Sequence, residues 1–290
     1  MTDDAAGAGW FEGVDPGSLA GAREALEAGS ADAPADWPAR AGAAGFAADA
    51  DDYYDKLHEA TTMVARQRVR ELERADDRQL IHAVRAMDDC RRTANELAER
   101  VAEWAGARYD DAGTGVEYAR ELAAGDASGD PTGDADRDPA GERLVALAER
   151  TAALADEADE LERFVETAAP DVAPNLAAMA GPVLAARLIS LAGGLEALAK
   201  QPSSTVQVLG AEDALFAHLR GDAPSPKHGV IYTHEYVSGT RREKRGSAAR
   251  ALAGKLTIAA RVDHYGGDRR PELDAELDER IRQIRGGGDE

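Results

Sequence analysis

Two stretches of heptad spacing constrain the fold of this chain more than any other feature. Within residues 78–104, two columns of residues recur every seven positions: Leu80, Met87, Ala94 and Val101, and three residues later Ala83, Cys90, Leu97 and Trp104. Within residues 144–168 the columns are Leu144, Thr151, Ala158 and Val165, and then Leu147, Leu154, Leu161 and Ala168. A pair of a and d columns sustained in this way is typical of a coiled coil.

One connection joins these two seams, which have similar lengths. The simplest closure is therefore a long antiparallel coiled-coil hairpin. The alternative is that both seams belong to a compact helical bundle, but the outer faces are nearly all charged, which favours the hairpin. We predict helices over about 51–105 and 141–169, where Asp76-Asp77 interrupts the pattern and can cap a new helix. Residues 106–140, with a Gly/Asp/Pro-rich stretch from Gly125, are expected to be a flexible loop.

The pattern divides the chain into four segments. Residues 1–48 form a short N-terminal region, either a poorly ordered arm or a small unit, and 49–170 form the coiled-coil domain. Residues 171–267 form a compact helical domain, and 268–290 an acidic, peripheral tail containing a helix near 272–284. Aromatic residues are only 5% of the chain, which favours close-packed helices, so the fold class is all-α.

The helical domain has its own local pattern. Pro182 suits the first turn of a helix that Gly193-Gly194 ends. A short helix is expected within residues 210–220, an extended stretch over 228–237, and a long basic helix from about Arg242 to Val262.

The charge is strongly acidic overall but uneven. The net charge of −21 argues against nucleic acid as a partner, because like charges repel. Residues 237–261, however, carry seven basic residues against the single acid Glu243, which is either a solvated helix face or a binding surface. The acidity and the scarcity of lysine are typical of a halophilic protein in a salt-rich cytoplasm, although a GC-rich genome also favours this composition.

No enzyme constellation accompanies these features. The sequence contains neither a phosphate-binding glycine loop nor a nucleophile elbow, and its histidines lack helical metal-ligand spacing. Cys90 is the only cysteine, and no apolar run approaches the ~20 residues that span a membrane. We therefore expect a cytoplasmic protein with no membrane contact, no metal, no cofactor and no catalytic residue.

Three segments of the C-terminal domain resemble the Nop domain family. They are APNLAAMAGPVLAARLISLAGGLEALAKQPSSTVQVLGAEDALFAHLR from Ala173, PKHGVIYTH from Pro226, and RGSAARALAGKLTIAARVDHYGG from Arg245. The stretches DDYYDKLHEATTMVARQRV and QLIHAVRAMDDCRRTANELAERVAEWAGARY are similar to the coiled coil that precedes this domain in archaeal proteins.

The resemblance implies a non-catalytic scaffold of box C/D ribonucleoproteins, which direct 2′-O-ribose methylation of rRNA and tRNA. The Nop domain binds kink-turn RNA in the guide RNA together with a ribosomal-protein-like kink-turn-binding protein. The coiled coil mediates self-association, and an N-terminal domain recruits the methyltransferase fibrillarin. The alternative is a coiled-coil assembly adaptor that does not recruit fibrillarin.

The resemblance also assigns site residues. The RNA-binding positions are Lys200, Lys227, His228, Arg245, Arg250 and Arg261. The interface with the kink-turn-binding protein and RNA comprises Gly210, Ala211, Glu212, Ala214, Leu215 and Phe216. Two departures weaken parts of this assignment: Asp213 and Ala217 stand where the family commonly has basic residues, and residues 1–48 are much shorter than the family's fibrillarin-binding domain, of which only the end near Phe46 is matched.

Overall fold

The structure, a computed structural model, describes residues 9–28, 35–125 and 139–286, and all regular elements in these residues are helical. They fall into two compact units, residues up to Ala75 and residues from Asp76 onward. The predicted all-α class is confirmed. Most of the Gly/Asp/Pro-rich stretch lies outside the described residues.

The N-terminal unit has a small aromatic core. Its helices are α1 (Ala22–Ala28), α2 (Trp37–Ala43) and α3 (Ala50–Glu73). The rings of Phe11 and Phe46 stack with centroids 5.6 Å apart, Tyr53 meets Phe11 edge-on, and Trp10 Nε1 donates to the Tyr53 hydroxyl at 3.1 Å. Of the two alternatives predicted for residues 1–48, the described part therefore corresponds to a small packed unit.

The hairpin is formed by α4 (Asp76–Gly106) and α6 (Pro139–Val172), which pack against each other over most of their length. They are antiparallel, since Val101 and Leu144 share one cluster of buried side chains while Met87 and Val165 share another. The break before Asp76 confirms the predicted interruption, so 51–105 is two helices rather than one. The expected loop 106–140 also contains a helix, α5 (Gly115–Ala124), because Tyr118 and Leu122 bury their side chains against the hairpin.

The second column of each predicted seam is displaced by one residue. The first columns are buried as predicted, including Leu80, Met87, Val101 and Val165. The buried second columns lie four positions after the first ones rather than three. They consist of Val84, Ala98 and Ala105 on α4, and of Ala148, Ala155 and Ala169 on α6. The predicted residues Leu97, Leu147, Leu154 and Leu161 are only half-buried, and Trp104 is 37% exposed. These larger side chains flank the interface, because alanine allows the two helices to approach closely.

The buried second columns are each interrupted by one charged residue, and these two residues form an ion pair. Arg91 stands between the buried Val84 and Ala98 of α4, and Glu162 between the buried Ala155 and Ala169 of α6. Arg91 Nη2 lies 2.8 Å from Glu162 Oε2. The two side chains satisfy each other only in one alignment of the helices, so this pair favours the observed register.

The remaining helices build one core around the base of the hairpin. They are α7 (Pro174–Ala180), α8 (Pro182–Ala192), α9 (Leu195–Lys200), α10 (Ser203–Val208), α11 (Glu212–Leu219), α12 (Glu235–Ser238), α13 (Arg245–Tyr265) and α14 (Glu272–Gly286), with a 3-10 turn at Val230–Thr233. Leu80 and Met87 of α4 contribute to the same core as Leu252 and Leu256 of α13. The predicted boundary at 170/171 therefore does not separate two independent cores.

Two local predictions in this part were wrong. The expected extended stretch 228–237 forms the 3-10 turn and α12, because His234 accepts a hydrogen bond from Tyr236 N and starts a helix. The helix expected near 272–284 is present as α14, but it is not peripheral, since Leu273, Leu277 and Ile281 are buried against the core. This helix is an integral part of the domain.

A buried polar network fixes the start of α7 to the end of α13. The Asp263 carboxylate accepts from Asn175 N at 3.0 Å, from Asn175 Nδ2 at 2.6 Å and from Leu176 N at 2.8 Å. Asn175 Oδ1 accepts from Arg270 N at 2.6 Å. Since buried polar groups are costly without partners, this network ties the long helix to the rest of the domain.

Among the described residues, no single helix is long and apolar enough to cross a membrane. α7 and α8 together have the length and composition, but the chain bends by 118° between them.

Candidate RNA interface

A tight backbone contact positions the segment that carries Lys227 and His228. Gly229 N donates to Gln207 O at 2.9 Å, and Val230 N donates to Leu209 O at 2.7 Å. A Cβ on Gly229 would lie only 1.9 Å from Leu209 O, so this close approach requires glycine. The segment is thereby held against the end of α10.

Three side chains form a stack next to this contact. The His228 ring lies against Tyr232, with centroids 4.6 Å apart and planes inclined by 21°. The Arg245 guanidinium lies 5.5 Å from the centroid of the Tyr232 ring. Burial lowers the pKa of His228, and the positive charges of Arg245 and Lys227 lower it further. His228 is therefore a neutral, flat ring at neutral pH.

The Arg245 side chain donates hydrogen bonds within the protein. Its Nε donates to Thr240 O at 3.0 Å and its Nη2 to Ser238 O at 3.4 Å. These bonds hold the turn that precedes α13 and keep the guanidinium over Tyr232. The structure thus gives this predicted RNA-binding residue a positioning role within the stack.

Arg250 and Lys227 meet in one groove with Leu215. The groove has a volume of ≈ 680 Å³ and is also lined by the hydroxyls of Ser204, Thr205 and Ser247 and by one carboxylate, that of Glu243. Within the described part of the chain, Arg250 makes no hydrogen bond or ion pair and is exposed to solvent. A cation without a protein partner beside several hydroxyls can accept a phosphate.

The helix α11 presents an apolar surface next to this groove. None of its residues is buried, and Phe216 and Leu219 are 57% and 70% exposed. Gly210 turns the chain into this helix at a φ of +80°, and its N–H donates to Glu212 Oε1 at 2.8 Å. Ala211 caps the helix, and Ala214 is exposed on it. The predicted interface residues therefore form one contiguous segment around α11.

Lys200 and Arg261 lie close to each other at the end of α9, and neither lines this groove. Lys200 ends α9 and pairs with Glu196 at 2.5 Å, which raises the pKa of the lysine and lowers that of the glutamate. Arg261 Nε donates to Ala199 O at 3.0 Å, and Nη2 to Gln201 O at 3.4 Å. Arg261 therefore supports the end of α9 that carries Lys200.

Tyr232 was not among the predicted site residues, although it lies in the PKHGVIYTH segment. Its ring is 39% exposed and supports both His228 and Arg245. An aromatic residue four positions after a histidine was the available signal. The stack is visible only once the 3-10 turn brings the two rings together.

Comparisons with known proteins match this architecture. A family described as Nop, snoRNA binding domain, fibrillarin, matches residues 132–284, more than half of the chain. An uncharacterized NOP5 family protein of Methanocaldococcus jannaschii is 35% identical over 83% of this chain and 65% of its own length. Nucleolar protein 56 of Saccharomyces cerevisiae is 43% identical over 43% of this chain and 25% of its own length.

A solved structure supports the fold. A chain from the crystal structure of a fibrillarin/Nop5p complex aligns with a TM-score of 0.50 and 24% identity, covering 91% of this chain and 92% of that one. The present chain spans less than two thirds of the length of these two curated relatives. With the matched segment, the hairpin and the helical domain in agreement, the chain belongs to the Nop family.

Proposed function

We propose that this protein is a non-catalytic RNA-binding scaffold of a box C/D guide ribonucleoprotein, which directs 2′-O-ribose methylation of rRNA or tRNA. In this role it binds kink-turn RNA together with the kink-turn-binding protein. The observation that carries the proposal is the groove in which the unpartnered Arg250 meets Lys227 and Leu215, together with the His228–Tyr232 stack that directly follows Lys227 in the chain. A phosphate ligand suits the cations, and an unpaired base suits the neutral ring.

The proposed surface is composite. Leu215 faces the groove that holds the cations, while Phe216 and Leu219 are exposed on the same short helix. An apolar helix face with no buried residue favours a protein partner, and the adjacent cations favour RNA. The kink-turn-binding protein would then contact α11 while its RNA enters the groove.

Self-association is proposed for the flank of the hairpin. In an antiparallel pair of helices, the columns of Leu97 and Trp104 on α4 and of Leu154 and Leu161 on α6 lie along the same side. These large side chains are half-buried or exposed. A second copy would cover them, because an exposed apolar stripe is favourable only at an interface.

Fibrillarin recruitment is proposed for the N-terminal unit, whose packed aromatic core provides an ordered surface. Co-purification of fibrillarin with the protein, and its loss on deleting residues 1–75, would support this. If fibrillarin fails to bind while RNA still does, the protein is the assembly adaptor rather than the methylation scaffold.

The site is tested by the affinity for kink-turn RNA carrying the kink-turn-binding protein. In about 1 M KCl the Debye length is only ~3 Å, so contacts dominate over the long-range field. His228→Ala should weaken the binding free energy by roughly 1–3 kcal/mol, the usual range for a base stacked on an aromatic group. Arg250→Lys should also weaken binding, because lysine lacks the planar fork.

The control is the double variant Arg241→Gln/Arg242→Gln. Both arginines belong to the basic segment 237–261, but they precede α13 and neither lines the groove. The control should bind almost like the parent protein. Equal losses in the control and in Arg250→Lys would mean that the basic segment acts as a diffuse field, and the site assignment would be wrong.

A further inference from the structure

We propose that the RNA-binding surface continues beyond Arg250 onto α14, where Arg280 contacts the phosphate backbone of the same RNA. This inference rests on the proposed function and extends it. α14 lies outside the three segments that carry the sequence resemblance, and its charge is mainly acidic.

The geometric basis is a second groove that shares Arg250 with the first. This groove, with a volume of ≈ 430 Å³, runs between α13 and α14, and its cations are Arg250, Lys255 and Arg280. Arg250 and Ser247 line both grooves, so the two form one continuous surface across α13. A strand bound at Lys227 and Arg250 would reach Arg280 next.

The charge lining the second groove differs from that of the whole molecule. The chain has a net charge of −21, yet no aspartate or glutamate is among the residues that line this groove. Because a carboxylate beside a phosphate repels it, this lining favours a polyanion more than that of the first groove, which includes Glu243.

The two arginines are available for a ligand, whereas the lysine is not. Lys255 is held in an ion pair by Glu276. Within the described part of the chain, Arg280 makes one hydrogen bond, from Nη1 to Gln283 Oε1 at 3.3 Å, and Arg250 makes none. Arg282, two residues further along the same helix, pairs with Glu279 at 2.5 Å. Arg280 therefore keeps most of its donors for an external acceptor.

The floor of the groove suits a nucleotide. Ile258 and Leu277 line it, and Ile258 is 39% exposed. Gly254 leaves open space above the helix, since a Cβ there would meet nothing within 4 Å. An apolar floor between cations accommodates a ribose whose flanking phosphates reach Arg250 and Arg280.

The test compares Arg280→Gln with Arg282→Gln, which remove the same charge from the same helix. Affinity is measured for the full chain with kink-turn RNA carrying the kink-turn-binding protein, over a range of KCl concentrations. Arg280→Gln should weaken binding roughly tenfold, as expected for one lost charge-assisted hydrogen bond. It should also reduce the salt slope by about one phosphate contact, whereas Arg282→Gln should change neither quantity.

RNA length provides the second measurement. Shortening the RNA stepwise from each end should reach a length at which Arg280→Gln and the parent bind equally, while Arg250→Lys still weakens binding. Equal affinity of both glutamine variants, or a loss with Arg280→Gln that persists on the shortest RNA that binds, would overturn the inference. These results would leave the proposed function intact if Arg250→Lys and His228→Ala still bind the RNA more weakly than the parent. Normal RNA binding by those two variants would refute the proposed site itself.

Discussion

The arginines of α13 divide into two kinds according to their hydrogen bonds. Arg245 and Arg261 donate to main-chain carbonyls, so each holds a neighbouring turn in place. Arg250 stands between them on the helix and makes no such bond within the described residues. Residue type alone cannot separate these roles, because all three are basic residues in one segment.

This division predicts opposite effects of the same substitution at two positions. Arg261→Lys should lower the free energy of unfolding by about 1 kcal/mol, since lysine cannot reproduce the forked bonds to Ala199 O and Gln201 O. Arg250→Lys should leave that free energy unchanged and weaken RNA binding. Chemical denaturation and RNA titration of both variants measure the two effects. A stability loss in Arg250→Lys, or none in Arg261→Lys, would contradict the division.

His234 is half-buried and neutral. Its Nδ1 accepts from Tyr236 N at 3.0 Å, so the proton resides on Nε2, which donates to Met179 O at 3.1 Å. Burial lowers the pKa of His234 below the usual value of about 6.5, although the Met179 carbonyl partly opposes this. A second proton would have to displace the hydrogen bond from Tyr236 N.

Stability should therefore fall as the pH decreases below about 6.5. In that range the unfolded chain binds a proton that the folded protein does not, so the free energy of unfolding rises with pH. His234→Gln should be less stable at pH 8 and show a smaller slope between pH 8 and pH 5.5. The control is His218→Gln, an exposed histidine on α11. An unchanged slope in His234→Gln would show that this histidine is not the cause.

At the scale of elements, the heptad period was predictable but its phase was not. The sequence places the larger apolar residues Leu97 and Trp104 three positions after the first column. The structure buries Ala98 and Ala105 instead, four positions after it. Two considerations compete in such a pattern: apolar size favours one column, and close helix approach favours the other. Only the packed pair of helices decides between them, and here the decision leaves a large apolar flank.

The corrected phase predicts different consequences for two neighbouring positions. Val101→Asp places a charge at a fully buried position and should cost about 3–5 kcal/mol, with loss of helix content. Leu97→Asp lies on the flank and should preserve helix content but shift the protein toward the monomer. Circular dichroism and sedimentation velocity distinguish the two variants. Unfolding of Leu97→Asp to the same extent as Val101→Asp would instead place Leu97 in the buried seam, as predicted from the sequence.

At the scale of the whole molecule, the sequence indicated candidate interface residues but not how they are arranged. The helical class, the hairpin and the positions of Lys227, His228 and Leu215 follow from local pattern and resemblance. The Tyr232 stack, the two grooves that Arg250 lines and the burial of α14 depend on contacts between segments far apart in the chain. Residues 171–265 carry 11 basic and 8 acidic residues, so the basic surface lies within an otherwise strongly acidic chain.

This charge distribution predicts that RNA binding requires the kink-turn-binding protein to be present. A chain of net charge −21 gains little from long-range attraction to RNA, so the apolar contact at α11 must contribute much of the affinity. Phe216→Ser and Leu219→Ser should each reduce affinity for the protein-bound RNA by about tenfold or more, given the ~1.5–3 kcal/mol gained by burying such side chains. Neither should alter stability, because α11 buries no residue.

The control is Val69→Ser, which removes an apolar side chain that is 56% exposed on α3 of the N-terminal unit. It should bind the protein-bound RNA like the parent. Binding to RNA without the kink-turn-binding protein should be weak for all of these proteins and insensitive to either α11 substitution. Tight stoichiometric binding of the parent to bare kink-turn RNA would contradict the composite surface. An equal loss for bare and protein-bound RNA would instead assign α11 to the RNA itself, because the lost contact would then be independent of the protein partner.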